Sequence, residues 1–251
     1  MSEGMKRIGL ENSSSLIRNG KRRLGREKRA AGVVSLAVIL MILLPAAAFS
    51  QGQFLNKGES GFGVDAAYTS NKDASGFGGS MVYSIKGIID IEASFSQVSL
   101  NQQPYKVSGF AVSPHITAYM KTHSSANRLF GSISMAYETD WYSSDGSGFY
   151  PMPVSGSNYS FGFSVSADLY SRAAVYCQPS LGVVYFFGKS ETAGYFSRET
   201  IGTQGIVFSG GISVVFKTSR MNSFAIGPAV AVYKALTSFS ISAAFVFGDY
   251  R

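Results

Sequence analysis

The stretch Tyr159 to Tyr170 constrains this chain more than any other. Tyr159, Phe161, Phe163, Val165, Ala167 and Leu169 are apolar or aromatic, and Ser160, Gly162, Ser164, Ser166 and Asp168 between them are small or polar. A period of two held over a dozen residues is a β-strand with one apolar and one wet face. It is longer than the common globular strand of about five or six residues. It matches the roughly 9–11 residues with which a tilted strand crosses a bilayer.

The pattern recurs and predicts ten strands, at about 61–69, 76–85, 88–99, 106–120, 128–141, 159–170, 174–187, 205–216, 223–233 and 238–247. Phe62, Val64 and Tyr68 fall on the apolar face of the first, Ile89, Ile91 and Phe95 of the third, and Leu129, Ile133 and Met135 of the fifth. Ile206, Phe208 and Ile212 do so in the eighth, and Phe239, Ile241 and Phe247 in the tenth. Segments 143–158 and 188–204 read as two long loops and the connections at 86–87, 121–127, 171–173 and 217–222 as shorter ones. An even strand count starting in the periplasm puts both long loops outside and all four shorter connections inside, the asymmetry of bacterial barrels. Three other outer connections are short, so eight strands is the alternative. Pro114, Pro179 and Pro228 open similar apolar stretches. Proline lacks an N–H, so these are candidate bulges near a rim or chance similarities.

The N-terminus reads as a separate segment. Residues 1–29 carry nine Lys or Arg against three Glu, and a charge-free apolar run follows from Ala30 to Pro45, then Ala46-Ala-Ala-Phe-Ser50. A basic region, an apolar core and a small-residue cleavage zone are the layout of a secretory signal. The domain reading is a signal peptide at 1–50, a polar periplasmic lead-in at 51–60 and a barrel at 61–251. The rival is an uncleaved anchor, since Ala30 to Phe49 is just long enough to span a membrane. The first 50 residues hold +6 of the net +7, so the basic balance belongs to the leader and is no nucleic-acid footprint. A single cysteine, Cys177, forms no intrachain disulfide framework. Low charge, at 15%, and 28 glycines suit an apolar exterior around a small-residue interior.

On these residues the chain resembles the small outer-membrane β-barrels of Gram-negative bacteria, in the broad OmpA-like, OmpW-like and opacity-type group. The sharpest motif is the end, Phe239-Ser-Ile-Ser-Ala-Ala-Phe245-Val-Phe247, although Gly248-Asp-Tyr-Arg251 follows the last Phe. The resemblance implies an all-β, antiparallel, up-and-down transmembrane barrel in the bacterial outer membrane, with periplasmic termini. The partners it implies are membrane lipid, lipopolysaccharide and the barrel-assembly machinery, which reads such a terminal strand. It carries no functional residues across, and an extracellular ligand is not identified.

The inward face is mostly Ser, Gly, Ala and Thr. Against it stand the candidate polar residues Asp65, Asp90, Glu92, His115, Glu138 and Asp168. Lys86, Arg172 and Lys217 sit at the inside turns near Asp90, Glu92 and Asp168. Pairing would plug or stiffen the periplasmic mouth, since unpaired carboxylates in a narrow barrel are costly; the alternative is a cation-favouring ring. His115 and Thr117 share a face, a weak hint of a base beside a nucleophile. His115 and His123 are too far apart to start a metal cluster. Cys177 reads as a small packing residue on the lipid face. Trp141, Tyr142, Phe149 and Tyr150 read as an interfacial girdle or a glycan- or lipid-binding patch. No phosphate-binding or dinucleotide motif occurs.

The sequence therefore points to a non-enzymatic barrel, without cofactor or metal, that is structural, surface-interacting or a narrow conduit for small solutes. The alternatives are a barrel enzyme acting on lipid or peptide through His115, and a soluble periplasmic β-barrel or sandwich. N-terminal sequencing of membrane-extracted protein is expected to begin near Gln51. A start at Met1 or Met5 would favour the anchor.

Overall fold

The computed structural model describes residues 54–55, 58–102, 105–121, 129–144, 152–172, 174–193, 198–218, 222–234 and 236–249. The signal reading at 1–50 lies outside them. Eleven strands follow one another: β1 (Ser60–Ser70), β2 (Ala74–Ile85), β3 (Ile89–Gln102), β4 (Tyr105–Lys121), β5 (Leu129–Ser144), β6 (Met152–Ala167), β7 (Leu169–Arg172), β8 (Val175–Ala193), β9 (Arg198–Lys217), β10 (Asn222–Tyr233) and β11 (Leu236–Asp249). All neighbours are antiparallel. β1 pairs with both β2 and β11, and β6 pairs with both β5 and β8, so the sheet closes on itself. β6 and β7 run in line along β8 and make one stave, giving a closed barrel of ten staves.

The alternation read from the sequence holds its register. Phe62, Val64 and Tyr68, Ile89, Ile91 and Phe95, Ile206, Phe208 and Ile212, and Phe239, Ile241 and Phe247 are all exposed on the outside. Aromatic rings gather toward the two ends of this belt. Tyr137, Tyr159 and Phe187 lie in adjacent staves, with centroids 5.0 and 5.5 Å apart. Phe216 and Phe224 (6.2 Å), and Phe245 and Phe247 (4.6 Å), lie toward the end that holds the N-terminus of β1. From Tyr159 to Leu169 the outward face runs ten residue steps, roughly 33 Å along the strand and about 25 Å along the normal at a tilt of about 40°. That is the height of a hydrocarbon belt, and water is a poor solvent for so continuous an apolar surface.

Two expected loops are largely strand. β5 runs on to Ser144, β6 begins at Met152, β8 continues to Ala193 and β9 begins at Arg198. Ser157 pairs with Lys189, and Glu191 with Thr200, across this part of the wall. Above the belt both faces meet polar surroundings, so the apolar alternation fades although the ladder continues. Outward residues there, such as Lys189, Glu191 and Gln204, are polar.

The prolines are not bulges. Register runs unshifted past Pro114, Pro179 and Pro228. Beside Pro114, Ser113 Oγ donates to the Tyr137 carbonyl at 2.9 Å, supplying a proton near the position where proline has none. At Pro179 the β6–β8 ladder stops at Ser166–Ser180. The next pair would set Pro179 against Ala167, and β6 breaks at Asp168 before resuming as β7, where Leu169 still faces Cys177 in the β6 register and the pairing shifts between Leu169 and Ser171. The uninterrupted strand expected at 159–170 is thus divided by a proline on its neighbour. The β2–β3 connection is three residues, 86–88, between the paired Ile85 and Ile89; Lys86 and Gly87 take φ of 53° and 59°, and Ile88 N–H donates to the Ile85 carbonyl at 3.0 Å. Positive φ at both central positions marks a type I′ turn.

Phe163→Arg is expected to cost about 2–4 kcal/mol of folding stability into lipid vesicles. Gly202→Arg, outward and with nothing within 4 Å of the added Cβ, is expected to change stability by less than about 0.5 kcal/mol. Equal losses in urea titrations would place the belt boundary wrongly.

Candidate functional site: the barrel lumen

Inward side chains divide the lumen into three layers. At the end away from the N-terminus lie two apolar clusters. One holds Val98, Leu100, Val107 and Ala111 with Tyr142 against them, and the other holds Phe186, Val207, Tyr233 and Leu236. Both tyrosines fit because each lies over a glycine on the strand paired with its own. A Cβ on Gly109 would lie 2.5 Å from the Tyr142 ring, and one on Gly205 would lie 2.1 Å from the Tyr233 ring. Tyr233 Oη then donates to the Gln204 carbonyl at 3.2 Å, and Tyr142 to Asp140. In the same region Asn158 donates to Glu138 at 3.4 Å and accepts from Thr203 at 3.3 Å.

The middle layer is polar. Ser80 donates to Asp65. Tyr119 donates to Asp90 at 3.2 Å, and Gln178 to Asp168 at 2.7 Å. Ser132 and Ser164 share a hydrogen bond of 2.7 Å. A cavity of about 50 Å³ is lined by Thr117, Tyr119, Ser132, Ser134, Ser164 and Ser166, among others. This has room for a water or two and not for a metabolite. Glu92 Oε1 and Glu138 Oε2 are buried with no hydrogen-bond partner among the described residues. Each is costly to bury as a lone charge.

The sequence-nominated residues are thus all inward, but they do not converge on one point. Asp65, Glu92 and His115 occupy the wall built by β1 to β4, with Glu92 directly opposite His115 in register. Glu138 belongs to the layer above and Asp168 to the break beside β7. Lys217 places its ammonium over the Tyr176 ring at 5.6 Å. Lys86 is exposed in its turn, and the side chain of Arg172 lies outside the described residues. The ion pair seen among the described residues is Lys72–Asp73, at 3.7 Å on the surface.

His115 and Thr117 do share the inward face, yet the hydroxyl against the imidazole is that of Ser94, 3.3 Å from Nε2. Ser94 Oγ also donates to the Ser113 carbonyl at 3.1 Å. Sequence spacing along one strand could not find Ser94, because the pairing is across strands. His123 lies outside the described residues. Cys177 is half-buried on the outward face of β8, the face expected. The proposed aromatic group at 141–150 divides. Trp141 points outward and stacks on Phe110 at 6.4 Å, whereas Tyr142 points into the lumen, as alternation requires of adjacent residues. Phe149 and Tyr150 lie outside the described residues.

The third layer was not expected. The lead-in, read as a polar linker, places Phe54 and Leu55 inside the mouth, packed with Tyr176, Val215, Ala225, Ala244 and Val246. Burying two such side chains contributes roughly 3–6 kcal/mol before the cost of ordering the segment. Two apolar residues in a lead-in so short were the available signal, too brief to show a period.

Comparison with solved structures bears on this geometry. The translocator domain of the autotransporter NalP from Neisseria meningitidis matches with a TM-score of 0.53 at 10% identity, covering 86% of this chain and 98% of that one. The fold is that of an outer-membrane β-barrel. Further matches include the transport unit of the autotransporter AIDA-I from Escherichia coli, with a TM-score of 0.47 at 8% identity over 88% of this chain and 98% of that one. Another is Neisserial surface protein A, with a TM-score of 0.34 at 12% identity over 75% and 96%. No family model matches the sequence, and no curated protein does.

Gly205→Ala is expected to expel the Tyr233 ring and cost about 1–3 kcal/mol. The same change made in a Tyr233→Ala background should cost far less. A double-mutant cycle read by urea titration checks the coupling, and additive losses would mean that the ring does not occupy the glycine's space.

Proposed function

We propose that this chain is a non-enzymatic integral outer-membrane barrel with a structural or surface-interacting role, closed to solutes at rest. The observation that carries this reading is the filled lumen. Apolar side chains occupy both ends, and the polar middle holds a cavity of about 50 Å³. A barrel of about eight strands already fills with side chains, and ten staves leave little more room. Against an enzyme stands the Ser94–His115 contact, whose hydroxyl is turned to backbone.

The expected orientation follows from the walls. The end holding the N-terminus of β1 has the tight 86–87 turn and the short link from Lys217 to Asn222, and the other end carries the extended β5–β6 and β8–β9 walls. We place the first in the periplasm, with cleavage of the leader near Gln51, and the second outside. The polar outward residues Lys189, Glu191 and Gln204 would then face the lipopolysaccharide headgroups or the medium. The closing strand β11 is the segment offered to the assembly machinery.

A narrow conduit is the second reading, favoured by the carboxylates of the middle layer. Purified protein in planar bilayers separates the two. Little steady conductance is expected, and large, stable, cation-selective openings would make Asp65, Asp90 and Glu92 pore lining instead of structural groups.

A further inference from the structure

We propose that Phe54 and Leu55 form a stopper, which seals the polar chamber of the lumen from water-soluble molecules at the end where β1 begins. The chain is turned into the mouth at Gly58, whose φ of 102° suits glycine and whose N–H binds the Lys86 carbonyl at 2.8 Å. Phe54 and Leu55 are buried against inward residues of β8 to β11, among them Val215 and Ala225. From the opposite side of the ring, Lys121 on β4 donates its ammonium to the Leu55 carbonyl at 2.5 Å. Ten staves put β4 diametrically across from β10, so Phe54 and Leu55 are contacted from both sides of the mouth.

β1 is already paired along both edges, by β2 and β11, so no ladder position is left for the lead-in to occupy. Among the described contacts are two apolar side chains and a lysine, while the barrel behind is held by continuous ladders. Lys121 also lies over the rings of Tyr119 and Phe130, at 5.4 and 6.0 Å, and Tyr119 reaches Asp90 in the chamber. Release of Leu55 would thus leave the lysine seated at the entrance to an acidic, hydroxyl-lined space. This inference concerns access to the lumen from one end and does not depend on whether ions cross the whole barrel.

Thiol labelling tests it. In a Cys177→Ser background, Ala225→Cys places a thiol beneath the stopper. The full chain is folded into vesicles or nanodiscs and treated with a small, neutral, water-soluble maleimide. Labelling is expected to be slow with the native lead-in and at least tenfold faster with Phe54→Ser and Leu55→Ser, while the heat-shifted band on gels stays unchanged. Equal rates with the two lead-ins, fast or slow, would overturn the proposal. Where the double variant loses the heat-shifted band, Lys121→Gln replaces it, leaving both apolar side chains in place. Faster labelling then supports the stopper, and an unchanged rate overturns it.

Discussion

A strand in hydrocarbon has no water to satisfy its amides, so every backbone N–H and C=O in the belt must find a partner within the sheet. The barrel's closure, through β1–β11 on one side and β6–β8 on the other, is the consequence. The prolines show how strictly this governs. Each removes a donor from a ladder that has no solvent to replace it. Near Pro114 a serine hydroxyl serves the opposite carbonyl. At Pro179 the partner strand gives way and restarts after Asp168, whose side chain is taken up by Gln178. Local repair in one place and local fracture in another leave the ring closed.

Closure at ten staves then sets the second problem, which is to fill a narrow interior without stranding polar groups. The upper layer does so by setting large side chains against glycine, as with Tyr142 over Gly109 and Tyr233 over Gly205. The middle layer uses short hydroxyls, which bond to one another, to carboxylates or to carbonyls. The lower layer borrows two apolar residues from outside the barrel wall. A lumen packed this way contributes stability.

Function is accordingly expected at the ends and on the outer surface. The extended walls beyond the belt carry polar groups on both faces. Their described residues are continuous with the sheet. The similarity to the NalP translocator domain is a similarity of fold, at 10% identity.

Alternation by itself determined the strands, their facing and the fold class, because lipid on one side writes a period of two into every residue of the belt. Phe163 outward and Ser164 inward were readable for that reason. The same signal failed where lipid ends: the polar strand extensions at 152–158 and 188–193 looked like loops, since backbone pairing leaves no mark on side-chain type. It also could not tell that a proline at 179 would break the strand at 168, or that the hydroxyl beside His115 would be Ser94, because both depend on which residue lies across the ladder. The place of Phe54 and Leu55 was decided only by the closed ring. A short apolar pair has no periodicity to read, and the cavity that buries it exists only once ten staves have met.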